Sequence, residues 1–367
     1  MRVINKIAKA AADALVRRIA MALPAWTCSV IQREFPARAP YQPLPPVNSG
    51  LFSVEAMQRF HESVRFRAHR IYQLRNVHVT WNGAVFHNLR LFVPSIVQRR
   101  FVGYFQDTLL LRQWIGEKVE ADAPCIAVCH DQWSVENYYH WLIDTLPRLL
   151  LLRQTHPDIV LALPQPLPPK VLPEYISSSA AVLGFSKYLL LNAKQVLHSG
   201  CIILPELTAP SLTQNPELVR QVRAELVKSL TPGPVQATRR VFIARARGGV
   251  RSLVNEQAVD ALLKEFGFEK IYGETLSFLE QVRLMRETAV LIGVHGAGMT
   301  NMLFLQEGMK VVEFLNDEHG DLCYFRLASC LGLPYFLVPC KGSNAALANQ
   351  SDMLVDTAVL RQVMSSM

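Results

Sequence analysis

The stretch LIGVHGAGMTN, residues 291–301, decides how this chain is read. An apolar run, Leu291–Ile292–Gly293–Val294, empties into His295–Gly296–Ala297–Gly298, and a helix is expected at once, over Met299–Leu305. Glycines let a backbone turn sharply and let a ligand approach its amides. A helix N-terminus adds partial positive charge, so such a turn suits a phosphate. His295 is placed to donate to a diphosphate oxygen. The spacing is neither the dinucleotide fingerprint G-x-G-x-x-G nor a P-loop. The plainer alternative is a tight strand-to-helix turn around a satisfied histidine.

Around this stretch the pattern is regular. Strands are expected at 241–244, 268–272, 289–294, 310–314 and 335–339, with helices at 255–266, 277–287 and 321–331. Strands alternating with helices of this length mean a parallel α/β sheet with right-handed crossovers. Ligands then bind beyond the carboxyl ends of the strands. Glu313 ends one strand, where it either accepts hydrogen bonds from ribose hydroxyls or is a surface carboxylate. Arg239, Arg240, Arg245, Arg247 and Arg251 surround the first strand. Arg245 directly follows it and Arg251 precedes the next helix, so both are candidates for bidentate phosphate binding; solvated surface is the alternative.

Toward the N-terminus, Thr231–Pro232–Gly233–Pro234 cannot continue a helix and is the expected domain boundary. Before it, strands are expected at 125–128, 159–163 and 201–204, helices at 171–183 and 216–229, and a hairpin turning at Asn82–Gly83. The segment NYYHWLIDTLPR, 137–148, puts His140 and Asp144 one turn apart on a helix face. Such a pair either takes a proton from an incoming hydroxyl, with either residue as the base, or is a structural hydrogen bond. Residues 36–48 read as a proline-rich linker. Residues 3–22 read as a basic amphipathic helix, with Ile4, Ala8, Ala11, Leu15 and Ile19 opposite Lys6, Lys9, Asp13 and Arg17. It lies in a membrane interface or packs on the protein's own surface.

The chain has 367 residues, half of them hydrophobic and 19% charged, which fits about two core-forming domains and excludes disorder. No apolar run reaches bilayer-crossing length. Residues 1–114 carry 16 Lys/Arg against 5 Asp/Glu, whereas the remainder carries 22 against 25, so the basic excess lies in the first third. That end is expected to face an anionic membrane surface or acidic glycan ahead of nucleic acid, for which no module is visible. Seven cysteines in no repeating frame are expected to be reduced, which fits a reducing compartment. There is no G-x-S-x-G, no H-E-x-x-H and no Asp-x-Asp. A departing diphosphate would therefore be neutralised by arginines, a helix terminus and His295, with no metal or other cofactor.

Together these residues resemble glycosyltransferase family 61. The resemblance rests on NYYHWLIDTLPRL at 137–149, FIAR and RSLVNE within 242–256, LSFLEQ at 276–281 and HGAGMTN at 295–301, and covers roughly residues 120–340. It implies a GT-B-like α/β fold, two Rossmann-like domains facing a cleft, and an inverting, metal-independent transfer from a nucleotide-sugar donor to a glycan or lipid-linked glycan acceptor. By that analogy Arg245, Arg251 and His295, Gly296, Ala297 and Gly298 hold the diphosphate, with Asn301 and Glu313 on the nucleotide side, and His140 and Asp144 face the acceptor. Ala244 stands where a serine is common. The expected domains are 1–49 (basic helix and linker), 50–232 (acceptor side), 233–342 (nucleotide sugar) and 343–367 (a last helix returning to the first domain). Eukaryotic relatives carry a membrane anchor. Without one, this chain resembles a bacterial cytoplasmic member, peripheral on the inner membrane and building surface polysaccharide. The rival expectations are a polysaccharide pyruvyltransferase using phosphoenolpyruvate and a non-catalytic nucleotide-sugar or glycan-binding protein.

Overall fold

A computed structural model describes residue 15 and residues 29–87, 90–97, 116–134, 136–166, 171–245, 251–317, 320–344, 347 and 350–367. The expected helix 3–22, Leu15 apart, and Arg247 lie outside the described residues. The chain is mixed α/β and divides into two units, residues 1–38 with 67–211 and residues 39–66 with 212–367.

The first unit holds two sheets. Strands β1 (Ser29–Phe35), β2 (His69–Leu74), β7 (Ile126–Ala127), β8 (Val160–Pro164), β9 (Tyr188–Leu191) and β11 (Ile202–Pro205) form one, in the order β1-β2-β11-β7-β8-β9. Its last four members are parallel, and β2 pairs antiparallel with both β1 and β11. Strands β3 (Val77–Thr80), β4 (Val85–His87), β5 (Arg90–Leu91), β6 (Glu117–Glu120) and β10 (Gln195–Ser199) form the other, in the order β5-β4-β3-β10-β6. The expected hairpin is β3–β4. Its Gly83 has a φ of 85°, and a Cβ there would lie 2.5 Å from the His130 carbonyl oxygen. Glycine alone lets this turn rest on the chain leaving β7. That chain enters a buried π-helical turn, His140–Thr145, continuing as the helix Leu146–Arg153. Leucines surround the axis of this helix, so it is buried rather than amphipathic.

In the second unit, strands β12 (Arg239–Ala244), β13 (Glu269–Tyr272), β14 (Thr288–Val294), β15 (Lys310–Asn316), β16 (Tyr335–Gly342) and β17 (Met353–Val355) are ordered β13-β12-β14-β15-β16-β17. All neighbours are parallel except β16 and β17. Val290, Ile292, Val312, Phe314, Phe336 and Val338 make the core on one face with Val259, Leu262 and Leu263 of the helix Glu256–Glu265. Winding runs from β12 outward to β13, then returns past β12 to β14, β15 and β16. The reversal opens a crevice at the carboxyl ends of β12 and β14, where ligands of doubly wound sheets sit.

Three expectations about organisation are corrected. The helix Pro216–Leu230 belongs to the second unit, not the first: Gln214 Nε2 donates to the Cys323 carbonyl at 3.1 Å and Arg220 Nε to that of Cys330 at 2.7 Å. A turn at 231–234 ends this helix but does not say which core its apolar face meets. Residues from 39 onward are not a free linker. Val47 N donates to the Tyr335 carbonyl at 2.8 Å, Asn48 bonds both backbone groups of Leu337, and Phe60 meets Phe325 edge-on at 4.8 Å. The last helix, Thr357–Ser365, buries Leu360, Val363 and Met364 in the core of the second unit rather than returning to the first.

The cysteine expectation is also corrected. Cys125 and Cys201 form a disulfide, with Cα atoms 4.7 Å apart. They immediately precede the register pair Ile126 and Ile202 on parallel neighbours, a juxtaposition that 76 residues of separation hide in the sequence. Cys129, Cys323, Cys330 and Cys340 are free and buried. Among the described residues, no helix is long and apolar enough to cross a membrane.

Alkylating the unfolded, unreduced protein is expected to leave one cysteine pair blocked, mapped by peptide mass to Cys125 and Cys201. By the loop-closure argument, Cys125→Ser should lower stability by up to about 4 kcal/mol. Full alkylation without reductant would show that the pair does not form.

Candidate active site

In the second unit, β12 and β14 deliver their candidates to the crevice. Arg245 directly follows β12, and its guanidinium packs on Gly296; a Cβ on Gly296 would lie 2.9 Å from Arg245 Cζ. The Gly296 backbone is extended and open to any residue, so a side chain there would displace the Arg245 guanidinium from its place over the turn. Arg251 is in the left-handed region, with a φ of 63°, a costly setting for any residue with a side chain. Its Nη1 donates to the His295 carbonyl at 2.9 Å, while its buried Nε has no partner among the described residues. Burial and the charge of Arg251 both disfavour the charge on Arg245. Two guanidiniums held this way are stabilised by an anion between them.

His295 is 3% exposed. Its Nδ1 lies 2.5 Å from Glu313 Oε1, its Nε2 lies 3.8 Å from Asp321 Oδ2, and its ring meets Tyr324 at 4.9 Å. Burial alone would push the imidazole below its ordinary value. The charge and hydrogen bond of Glu313, with the neighbouring Asp321 carboxylate, outweigh burial and lift it to about 9. At neutral pH His295 is an imidazolium, a third cation beside the arginines.

Glu313 does not face ribose. It is 1% exposed, and its second oxygen accepts from the Tyr335 hydroxyl at 2.6 Å. Both oxygens are occupied within the protein, so Glu313 is the counter-ion of His295. Asn301 is likewise buried; its Nδ2 donates to Gln281 Oε1 at 2.9 Å, tying the turn to the helix Phe278–Arg286. The element after Gly296 is a 3-10 helix, Ala297–Phe304, and Ala297 and Gly298 are its half-buried first residues. Asp321, Tyr324 and Tyr335 escaped the sequence reading because they come from two further elements. His295, Asp321 and Cys323 carry donor atoms within 4.8 Å of one another, but they suit a cation only once His295 gives up its Nε2 proton.

In the first unit, His140 Nδ1 and Asp144 Oδ2 are 2.6 Å apart and both residues are buried. The π-helical turn keeps them one above the other, and such turns recur at functional sites. Burial lifts the Asp144 carboxyl above its usual range. The hydrogen bond and charge of His140 offset part of this; Asp131 raises it further and Arg148 lowers it. Arg148, on the next turn, is 2% exposed; its Nε donates to the Pro205 carbonyl at 2.8 Å, and its Nη1 lies 3.8 Å from Asp131 Oδ2. Trp133 lies against the His140 ring at 5.1 Å. The arrangement can take a proton from a hydroxyl that reaches Asp144 or His140.

The ion pair of His295 is measurable in stability. Its folded value of about 9 lies above its ordinary 6.5, so its contribution is complete below about 6.5 and lost as pH rises through about 9. Urea unfolding across this range should show stability falling. His295→Gln should flatten that slope and cost about 1–3 kcal/mol near pH 6, because Glu313 loses a buried partner. An unchanged slope in the variant would assign it to another group.

Residues 138–312 match the family model described as Glycosyltransferase 61, a span that runs from the His140 turn into β15. The EGF domain-specific O-linked N-acetylglucosamine transferase of Drosophila melanogaster is 34% identical over 105 residues, a match covering 28% of this chain and 20% of that protein. Its counterpart in Rattus norvegicus is 37% identical over 109 residues, with the same two shares. The protein of that name in Xenopus laevis is 42% identical over 60 residues, 16% of this chain and 11% of the relative. The chain thus matches about a fifth or less of the length of these relatives. Over residues 138–312, this chain carries a domain of the Glycosyltransferase 61 family.

Proposed function

We propose that the chain is an inverting glycosyltransferase that moves a sugar from a nucleoside-diphosphate donor to a hydroxyl of a glycan acceptor, in polysaccharide synthesis. The observation that carries this reading is the set of three cations, Arg245, Arg251 and His295, at the strand-order reversal of a doubly wound sheet. The second unit takes the donor and the first the acceptor, the division of labour of GT-B enzymes. The acceptor O–H loses its proton to the Asp144–His140 pair, and its oxygen attacks the anomeric carbon opposite the diphosphate. The anomeric C–O bond breaks, and its electron pair leaves with the nucleoside diphosphate. The three cations stabilise the charge that develops there. Inversion follows from a single displacement.

The activity named for these relatives points to N-acetylglucosamine as the first sugar to assay and to a protein hydroxyl as the competing acceptor. Disulfides persist in oxidising compartments. The Cys125–Cys201 pair therefore supports an oxidising location over the cytoplasm that reduced cysteines suggested.

Thermal unfolding against UDP, GDP, CMP, ADP, dTDP and phosphoenolpyruvate, with and without EDTA, tests the donor. One nucleotide should stabilise the protein, by about 2.7 kcal/mol at 100 times its dissociation constant. The shift should survive EDTA and vanish in Arg245→Ala. A shift with phosphoenolpyruvate alone would replace this reading by pyruvyl transfer.

For transfer itself, Asp144→Asn should cut kcat by about 10²–10⁴ while leaving the nucleotide shift intact. With the Asp144 carboxyl raised, the wild-type rate should begin to fall, as pH is lowered, at a pH above the usual carboxylate range. Full activity in Asp144→Asn would remove that residue as the base.

A further inference from the structure

Unmet polar atoms concentrate at one place in the first unit. His130 Nδ1, Asp131 Oδ2 and both amide atoms of Gln132 are buried with no hydrogen-bond partner among the described residues, and Thr145 Oγ1, beside Asp144 in the chain, is in the same state. A buried polar atom without a partner costs about 1–3 kcal/mol, so a run of them on three consecutive residues calls for a binding partner.

The turn is otherwise held firmly. His130 Nε2 donates to the Trp81 carbonyl at 3.0 Å, and Gly83 lies against the backbone of His130 and Asp131. The Asp131 amide donates to Ser134 Oγ at 3.2 Å, and Asp131 Oδ1 accepts from the Trp133 amide at 3.0 Å. Its Oδ2 is left with only the charge of Arg148, 3.8 Å away and beyond hydrogen-bond reach. The turn follows β7, where the strand order β11-β7-β8-β9 reverses, the place at which parallel sheets bind ligands.

We propose that His130–Gln132 is a hydroxyl-binding subsite for the acceptor sugar, anchored by Asp131 Oδ2; this rests on the glycosyl-transfer reading above. The unmet atoms are mostly acceptors. Asp131 and Gln132 offer oxygens, while the buried, neutral His130 meets the backbone of Trp81 and Ala162 and holds the turn in place. A ligand rich in O–H donors meets that demand. The half-buried Trp133, two residues on, gives the apolar face that a pyranose ring stacks on. The Asp131 charge also acts on the Asp144 carboxyl, so the subsite shares the electrostatic surroundings of the base. Arg148 is a positioning residue, its guanidinium fixed on the Pro205 carbonyl beside Asp131.

The test uses the full chain and saturation-transfer NMR with the methyl glycosides of N-acetylglucosamine, galactose and xylose. At least one should bind, and Asp131→Asn and Gln132→Leu should each weaken it about tenfold or more, with the nucleotide-induced thermal shift unchanged. No binding of any glycoside to the wild type, or equal binding by both variants, overturns the subsite. Should Asp131→Asn fail to fold, Gln132→Ala decides on the same criterion. Glycoside binding that responds to these variants in a protein no nucleotide stabilises keeps the subsite and removes the donor reading.

Discussion

The direction of winding governs both units. A parallel strand is joined to the next only by a crossover that packs on one face of the sheet, and where the chain reverses its direction of travel two crossovers diverge. In the second unit they diverge between β12 and β14, and in the first between β11 and β7. Every candidate side chain that keeps a functional reading follows one of these strands or sits on the helix that one of them feeds. Arg245 follows β12 and His295 follows β14; the His130–Gln132 turn follows β7, and the helix carrying His140 and Asp144 comes next.

The two sites solve opposite electrostatic problems. The second unit gathers cations and must keep a buried histidine charged, which it does with Glu313 behind the ring and Asp321 beside it. The hydroxyl of Tyr335 fixes the far oxygen of Glu313, so the counter-ion cannot turn away. The first unit gathers a carboxylate and a histidine under an aromatic cover, and burial strengthens the carboxylate as a base. The cation cluster and the buried His140–Asp144 pair thus sit on separate scaffolds, each tuned by its own neighbours.

Much of this was legible in the sequence. The regular alternation after residue 238 gives the parallel sheet, because buried parallel strands are short, apolar and separated by helices with caps such as Ser277. Arg245, Arg251, His295 and the His140–Asp144 pair were legible because each lies within a few residues of a strand end or one helical turn from its partner. Glu313 was misread because the sequence does not say which way a strand-end carboxylate is committed, and Tyr335 lies 22 residues on. Asp321 and the Cys125–Cys201 bond depend on register between neighbours, which local spacing does not encode. The division between units was missed for the same reason: a proline-rich stretch reads as a linker whether or not its backbone is stitched to a distant strand.

That stitching sets an order on biosynthesis. Asn48 finds its partner at Leu337, 289 positions later, and Phe60 packs on a ring that emerges with the last helices. At ordinary elongation rates of about 5–20 residues per second, this segment waits on the order of tens of seconds with its apolar side chains unpaired. Neither unit is encoded by one continuous stretch, so the second cannot close until residues beyond Leu337 have left the ribosome. For that interval the nascent protein exposes short hydrophobic segments, the kind of surface whose aggregation chaperones exist to prevent.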